Sequence, residues 1–214
     1  MFTIEDVRPF HRTAVRASVD LVATITPDHL RLPTPCAGWD LGDLLTHMTA
    51  QHRGFAAAAR GGGADLAVWQ PATVADLVAV DPAGTYAAAS DKVIEAFAAD
   101  GALDAMFALP ELGPGAEFPG ALAIAFHFVD YVVHGWDVAR TIGADFALPA
   151  DVVAAALPVA LAVPDGSARS TDGAAFGPAI TSPDEATDLD RILTYLGRSP
   201  EWTATLGECP TTSC

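Results

Sequence analysis

The most chemically suggestive part of this 214-residue chain is a group of metal-capable side chains inside an apolar segment. His127, Asp130 and His134 are three and four residues apart, so in a helix they share one face. A carboxylate buried alone is costly, and a hydrogen-bond network, a cation or a bound metal offsets that cost. The spacing therefore indicates either a metal centre or a buried polar pair of Asp130 and His134 without metal.

The three residues cannot all bind one ion easily. Two residues four apart on a helix, such as Asp130 and His134, can share a metal. His127 and His134 are two turns apart, which separates them by roughly 10.5 Å along the helix axis. We therefore interpret His127 as a residue that contacts a metal ligand without binding the metal, as one that faces the substrate, or simply as a polar core residue.

Four long helical patterns must position these residues. They run from about 4 to 25, 41 to 60, 83 to 99 and 120 to 142, separated by stretches rich in Pro and Gly. Asp40 is expected to cap the second helix, with Asp43 as a solvated acid in its first turn. Together with the high alanine content, this pattern predicts an all-α protein built on a four-helix bundle.

The pattern changes after Gly143. Two shorter helices, near 150 to 162 and 185 to 197, predict a small helical C-terminal extension packed on the bundle. We therefore divide the chain into a bundle of residues 1–145 and an extension of residues 146–214.

The second helix carries two more histidines, and they cannot both point inward. His47 and His52 are five residues apart, which separates them by about 140° around a helix. The apolar periodicity places His52 near the centre of the core stripe and His47 at its edge. Periodicity alone therefore selects His52.

Composition restricts the class of partner. The chain has 11 Lys and Arg against 27 Asp and Glu, a net charge of −16, which repels phosphate backbones and anionic lipids. We expect no nucleic-acid or membrane partner and a small-molecule substrate, and the oligomeric state, monomer or homodimer, stays open. Neither a secretory signal nor a membrane-length apolar run is visible, and Cys36, Cys209 and Cys214 lack the spacing of a metal knuckle or redox pair. A cytoplasmic location is expected.

Three motifs together resemble a known family. They are Pro33-Thr-Pro-Cys36-Ala-Gly-Trp39-Asp40-Leu-Gly-Asp43-Leu44-Leu45-Thr-His47, Asp130-x-x-x-His134-Gly-Trp136-Asp137-x-Ala139-Arg140, and Leu196-Gly-Arg198-Ser-Pro200-x-Trp202. The first two resemble the mycothiol-dependent maleylpyruvate isomerase N-terminal family, within the DinB/YfiT-like metalloprotein superfamily. The third is similar to the C-terminal ending of an actinobacterial branch of that group.

This resemblance implies a DinB-like bundle that holds one divalent metal, zinc as first choice and nickel as second. The ligands would be a histidine of the second helix and an acidic-x-x-x-His pair of the fourth, here His47, Asp130 and His134. The isomerase proper has a glutamate where Asp130 stands. The resemblance also implies mycothiol, or another low-molecular-weight thiol, as a co-substrate that adds to an electrophilic carbon in a transferase or isomerase reaction.

Chemistry leaves other functions open at such a site. An open divalent centre lowers the pKa of a bound thiol, but it can equally activate water for hydrolysis. A non-catalytic module that binds metal, a ligand or a protein is a further alternative. The paired Glu-x-x-His motifs of a di-iron bundle, the nucleophile elbow and the Walker loop do not occur in the sequence.

Several neighbouring residues have two interpretations each. Cys36 is either a reactive thiol or a small buried hydrophobic residue. Trp39 and Trp136 either shape a ligand pocket or pack the helices. Arg140 either binds a substrate carboxylate in a bidentate manner or pairs with Asp137 or another neighbour.

Overall fold

Four long helices carry the predicted site. The computed structural model describes residues 6–171, 174–182 and 184–204. Within these residues the α-helices are α1 (Arg8–Val22), α2 (Leu41–Ala59), α3 (Ala75–Val80), α4 (Pro82–Ala98), α5 (Gly120–Ile142), α6 (Ala150–Leu161) and α7 (Asp188–Tyr195). Helix α2 packs on α4, α1 packs on α5 and α4, and α2 also contacts α5. The predicted all-α, DinB-like four-helix bundle is confirmed.

Local capping fixes where the helices that carry the site begin and end. The Asp40 carboxylate accepts the Asp43 N–H at 2.9 Å, and the Asp43 carboxylate accepts the Asp40 N–H at 3.2 Å. This reciprocal pair satisfies two N–H groups at the start of α2, as predicted for Asp40. Gly143 ends α5 in the left-handed conformation, with φ of 68°. Helix α1 is shorter than the predicted 4 to 25, and residues 4 and 5 of that prediction lie outside the described part of the chain.

The connection between α4 and α5 is more regular than the sequence suggested. A short hairpin pairs β1 (Met106–Ala108) with β2 (Glu117–Pro119) in antiparallel register, with Phe107 opposite Phe118. Phe107 is fully buried, so the hairpin contributes to the core. Strands of three residues are too short to display a period-2 pattern, so the Pro- and Gly-rich stretch between the third and fourth helical patterns did not predict a hairpin.

Helix α5 lies at the centre of the core and is buried along nearly its whole length. It contacts α1, α2 and α6, and it reaches solvent at few positions, Asp130 and Arg140 among them. Gly135 allows a close approach on the α6 side, because a Cβ there would lie 2.7 Å from the Phe146 ring. Helix α6 covers α5, and α7 packs on α6. The division of the chain at residue 145 stays a prediction. Among the described helices, none is both long and apolar enough to cross a bilayer.

Candidate metal centre

Helices α2 and α5 bring together the three residues that the motifs selected. One donor atom each from His47, Asp130 and His134 lies within 4.8 Å of the others. Asp130 Oδ1 is 3.3 Å from His134 Nε2, and the side chains are 22% and 4% exposed. The His47 ring meets the His134 ring edge-on, with centres 5.4 Å apart. The group of three side chains is therefore buried at His134 and reaches solvent at Asp130.

A second carboxylate holds the opposite edge of the His134 ring. Asp137 Oδ2 lies 2.9 Å from His134 Nδ1, and the Asp137 side chain is fully buried. A carboxylate on one ring nitrogen selects the tautomer that leaves the other nitrogen free to bind a metal. His134 Nε2 is thereby directed at His47 and Asp130.

Asp137 belongs to a buried polar group that sequence reasoning did not assemble. The Cys36 thiol donates to Asp137 Oδ2 at 3.3 Å, and Arg198 Nη2 lies 3.4 Å from the same oxygen and 3.5 Å from the sulfur. Cys36, His134 and Asp137 also lie close enough to form a metal-capable group. The Arg198 guanidinium already supplies positive charge there, which disfavours a second cation.

The ionisation of the two histidines in this group differs. Burial alone would lower the pKa of His134, but the charge of Asp130 and the hydrogen bonds to Asp137 and Cys36 outweigh it and raise that pKa well above the ordinary value. Burial and the nearby His134 lower the pKa of His47 to about 4. His47 is therefore neutral at pH 7, whereas His134 must release a proton when it binds a cation.

A further acid lies beside the same face of α2. Gln51, one turn after His47, donates to Glu111 Oε2 at 2.7 Å. Burial raises the pKa of Glu111, and the charge of Asp130 adds to the effect. No local pattern pointed to this pair, because Glu111 lies in the connection between the two short strands.

Of the neighbours proposed from sequence, Trp39 lies beside His47, whereas Arg140 contacts the segment after α7. Trp39 is 38% exposed, and its ring centre is 4.9 Å from that of His47. Arg140 donates to the Pro200 carbonyl, and its guanidinium lies 5.4 Å from the Trp136 ring centre. Arg140 does not pair with Asp137, whose Oδ2 lies 3.4 Å from Arg198 Nη2, and its bond to Pro200 agrees with the alternative of a contact to another neighbour.

His127 and His52 lie in a separate buried cluster. His127 Nδ1 is 2.9 Å from Nε2 of His11, which the sequence analysis did not single out, and His127 Nε2 is 3.3 Å from His52 Nδ1. Tyr131 stacks on both His52 and His127, with ring centres 4.1 and 4.2 Å away. This placement corresponds to the polar-core interpretation of His127. The inward position that periodicity gave to His52 is confirmed, since that side chain has no exposed surface.

Fold and site together define a helical-bundle protein with a metal-capable centre between its second and fourth long helices. The sequence model of the mycothiol maleylpyruvate isomerase N-terminal domain family matches residues 11–139, which include all three motif-selected residues. The chain belongs to this family.

The chain is also similar to known proteins in sequence and in structure. Two uncharacterised proteins of Mycobacterium tuberculosis, from strains CDC 1551 and H37Rv, are each 29% identical over 190 residues, covering 88% of this chain and 96% of theirs. The crystal structure of the mycothiol-dependent maleylpyruvate isomerase has a TM-score of 0.64 at 14% identity, covering 98% of this chain and 95% of that one. A histidine-to-alanine mutant of that enzyme has a TM-score of 0.59 at 11% identity, covering 79% and 72%. At these identities the two structures establish a shared fold.

Proposed function

We propose that the protein binds one divalent cation, zinc in preference to nickel, through His47, Asp130 and His134. The observation that carries the proposal is the convergence of their donor atoms within 4.8 Å. Two imidazoles and one carboxylate form the donor set of a catalytic site, which keeps a coordination position open. The Asp137 contact to His134 Nδ1 supports the same assignment, because ligating histidines are commonly oriented by a carboxylate on the other nitrogen.

The reaction that fits this site is a thiol-dependent transfer or isomerisation. A divalent cation lowers the pKa of a thiol, here that of mycothiol or another low-molecular-weight thiol in the reducing cytoplasm. The partly exposed Asp130 edge admits a small electrophilic substrate. In this reaction Glu111, which accepts a hydrogen bond from Gln51 one turn after His47, would exchange a proton with that substrate. Membership of the mycothiol isomerase family supports this reaction class.

Metal content tests the proposal directly. The parent protein and His134→Ala are purified without added metal and analysed for elements, and both are then titrated with zinc and with nickel. We expect one equivalent in the parent and strong loss in the variant. His29→Ala, which removes a histidine outside the site, is the matched control and should keep the full equivalent. A parent protein that binds neither metal would contradict the proposal.

The second candidate is a non-catalytic module that uses the same site to bind a ligand. The shorter Asp130, where the resembled isomerase has a glutamate, favours it, because one methylene less changes the reach of the carboxylate. Screening the metal-loaded protein with thiols and electrophiles separates the two functions. Turnover that needs the thiol supports the transferase or isomerase, turnover without thiol supports the hydrolase alternative, and metal binding without turnover supports the module.

A further inference from the structure

The C-terminal extension delivers one side chain to the buried side of the candidate metal centre. Arg198 follows α7, where the chain turns at Gly197 with φ of 81°. The Arg198 N–H donates to the Leu193 carbonyl at 2.8 Å, which fixes the backbone. The guanidinium donates from Nη1 to the Leu196 carbonyl at 3.0 Å, and its Nη2 reaches Asp137 Oδ2 at 3.4 Å.

The buried carboxylate of Asp137 requires a positively charged neighbour. Its side chain is fully buried, and a buried carboxylate without a counter-charge is costly. A guanidinium stays charged under all ordinary conditions, so Arg198 is the permanent positive charge among the described groups in contact with Asp137.

The contact between Arg198 and Asp137 is not the two-bonded ion pair that these side chains can form. Among the described residues, Asp137 Oδ1 and Arg198 Nε are buried without a hydrogen-bond partner. Arginine and carboxylate can form two parallel hydrogen bonds, yet here a single contact joins them. Arg198 instead contacts Asp137 Oδ2, the same oxygen that lies 2.9 Å from His134 Nδ1, so the guanidinium and the imidazole hold one carboxylate oxygen between them.

We infer that Arg198 is a positioning residue of the metal centre: it holds Asp137 against His134 and so makes metal affinity depend on the C-terminal extension. The inference rests on the proposed function. It assigns to the extension a contribution to the site that residues 11–139, the family-matched part, do not contain.

Zinc affinity in charge variants of Arg198 tests the inference. Affinity is measured by competition with a chromophoric chelator, and the d–d absorption of cobalt(II) bound in place of zinc reports the ligand geometry. Arg198→Met should bind zinc at least 10-fold more weakly, the lower end of the effect of losing a group that orients a ligand. Arg198→Lys, which keeps the charge but not the planar fork, should recover part of this loss. Combining Arg198→Met with Asp137→Asn should be no more than threefold worse than Asp137→Asn alone, because Arg198 acts through Asp137.

Arg169 provides the matched control. It is also a buried arginine of the extension, but it binds the Pro164, Val163, Gly177 and Tyr195 carbonyls and makes no contact with Asp137 or His134. Arg169→Met should destabilise the extension and leave zinc affinity within threefold of the parent. An equal loss in Arg169→Met would assign the effect to a loosened extension and overturn the inference.

The outcomes separate this inference from the proposed function. If the parent binds no zinc, the proposed function fails and the role of Arg198 fails with it. If the parent binds zinc and Arg198→Met binds it equally well with an unchanged cobalt spectrum, only the inference is overturned. Should Arg198→Met not fold, Arg198→Lys decides: a weaker affinity with an altered spectrum supports the inference, and parent-like values overturn it.

Discussion

Asp130 Oδ1 lies 3.3 Å from His134 Nε2, one turn earlier on α5. The helix itself sets this approach, because residues four apart stack on one face. The pair links two environments: the imidazole is buried, whereas the carboxylate is 22% exposed. Asp130 is therefore the residue through which this group of side chains meets solvent, and in the proposed centre the length of its side chain would most directly set the geometry of a bound cation.

Substitutions of Asp130 should separate charge from reach. Asp130→Ala removes a carboxylate ligand and should weaken zinc binding by about 100-fold or more, about 2.7 kcal/mol at that ratio. Asp130→Glu keeps the charge and should retain one equivalent of zinc, with a changed cobalt(II) spectrum because the carboxylate reaches further. Isothermal titration and absorption spectroscopy measure both. Full zinc affinity in Asp130→Ala would exclude Asp130 from the ligand set.

Cys36 should not be a ligand of the proposed centre. Its sulfur lies 3.9 Å from His134 Nδ1, on the ring edge opposite to the nitrogen that faces Asp130. Cys36→Ala should therefore keep one equivalent of zinc, with an affinity within about threefold of the parent, since Asp137 retains its contacts with His134 and Arg198. Elemental analysis and chelator competition provide the measurement. Loss of the metal in Cys36→Ala would place sulfur in the coordination sphere.

The two histidines of α2 show which kind of histidine apolar periodicity can identify. Periodicity selected His52, and that side chain lies at the centre of the bundle, stacked on Tyr131. Only the motif selected His47, which is partly buried at the edge of the same stripe. The centre of an apolar stripe faces the packed core, whereas an open site needs a position where the helix surface begins to reach solvent. Apolar periodicity therefore favours core histidines over histidines at the edge of a pocket.

Contacts between residues far apart in the sequence could not be predicted from the sequence pattern. The four long helices followed from periodicity and capping residues, because those signals are local. Arg198 and Asp137 are 61 residues apart, and Gln51 and Glu111 are 60 apart. Nothing in either segment specifies the other, since such pairs form only when α7 and the hairpin have packed. A charged residue in a C-terminal motif was the one signal that pointed to Arg198.

Gly54 on α2 is a sensitive test of the bundle packing. A Cβ at this position would lie 2.2 Å from Trp69 Cε3, and Trp69 is 1% exposed with its indole N–H bonded to the Gly63 carbonyl. Gly54→Ala should lower the free energy of unfolding by about 1–3 kcal/mol through overpacking, although alanine favours helix. Gly62→Ala, whose Cβ would meet the nearest atom at 3.5 Å, is the control and should be near neutral. Urea denaturation measures both variants. Equal stability of the two would contradict the close contact.

The buried cluster of His11, His52 and His127 should make the fold sensitive to mild acid. Burial lowers the pKa of His11 from 6.5 to about 3, and it lowers the pKa of His52 and of His127 well below the ordinary value. The unfolded chain therefore binds protons below pH 6.5, whereas the folded protein keeps these rings neutral until much lower pH. The stabilisation is complete above pH 6.5 and is lost as the pH falls toward 3.

The free energy of unfolding, measured with urea between pH 7.5 and 5, tests this sensitivity. In that range most carboxylates stay ionised in both states, so the slope reports chiefly the histidines. As the pH approaches 5, each buried neutral histidine contributes a loss of about 1.4 kcal/mol per pH unit. His11→Phe should reduce the slope by about that amount per pH unit, because it removes one group that titrates only on unfolding. His29→Ala lies outside the buried cluster and is the control. A slope in His11→Phe equal to that of the parent would mean that His11 is protonated in the folded protein.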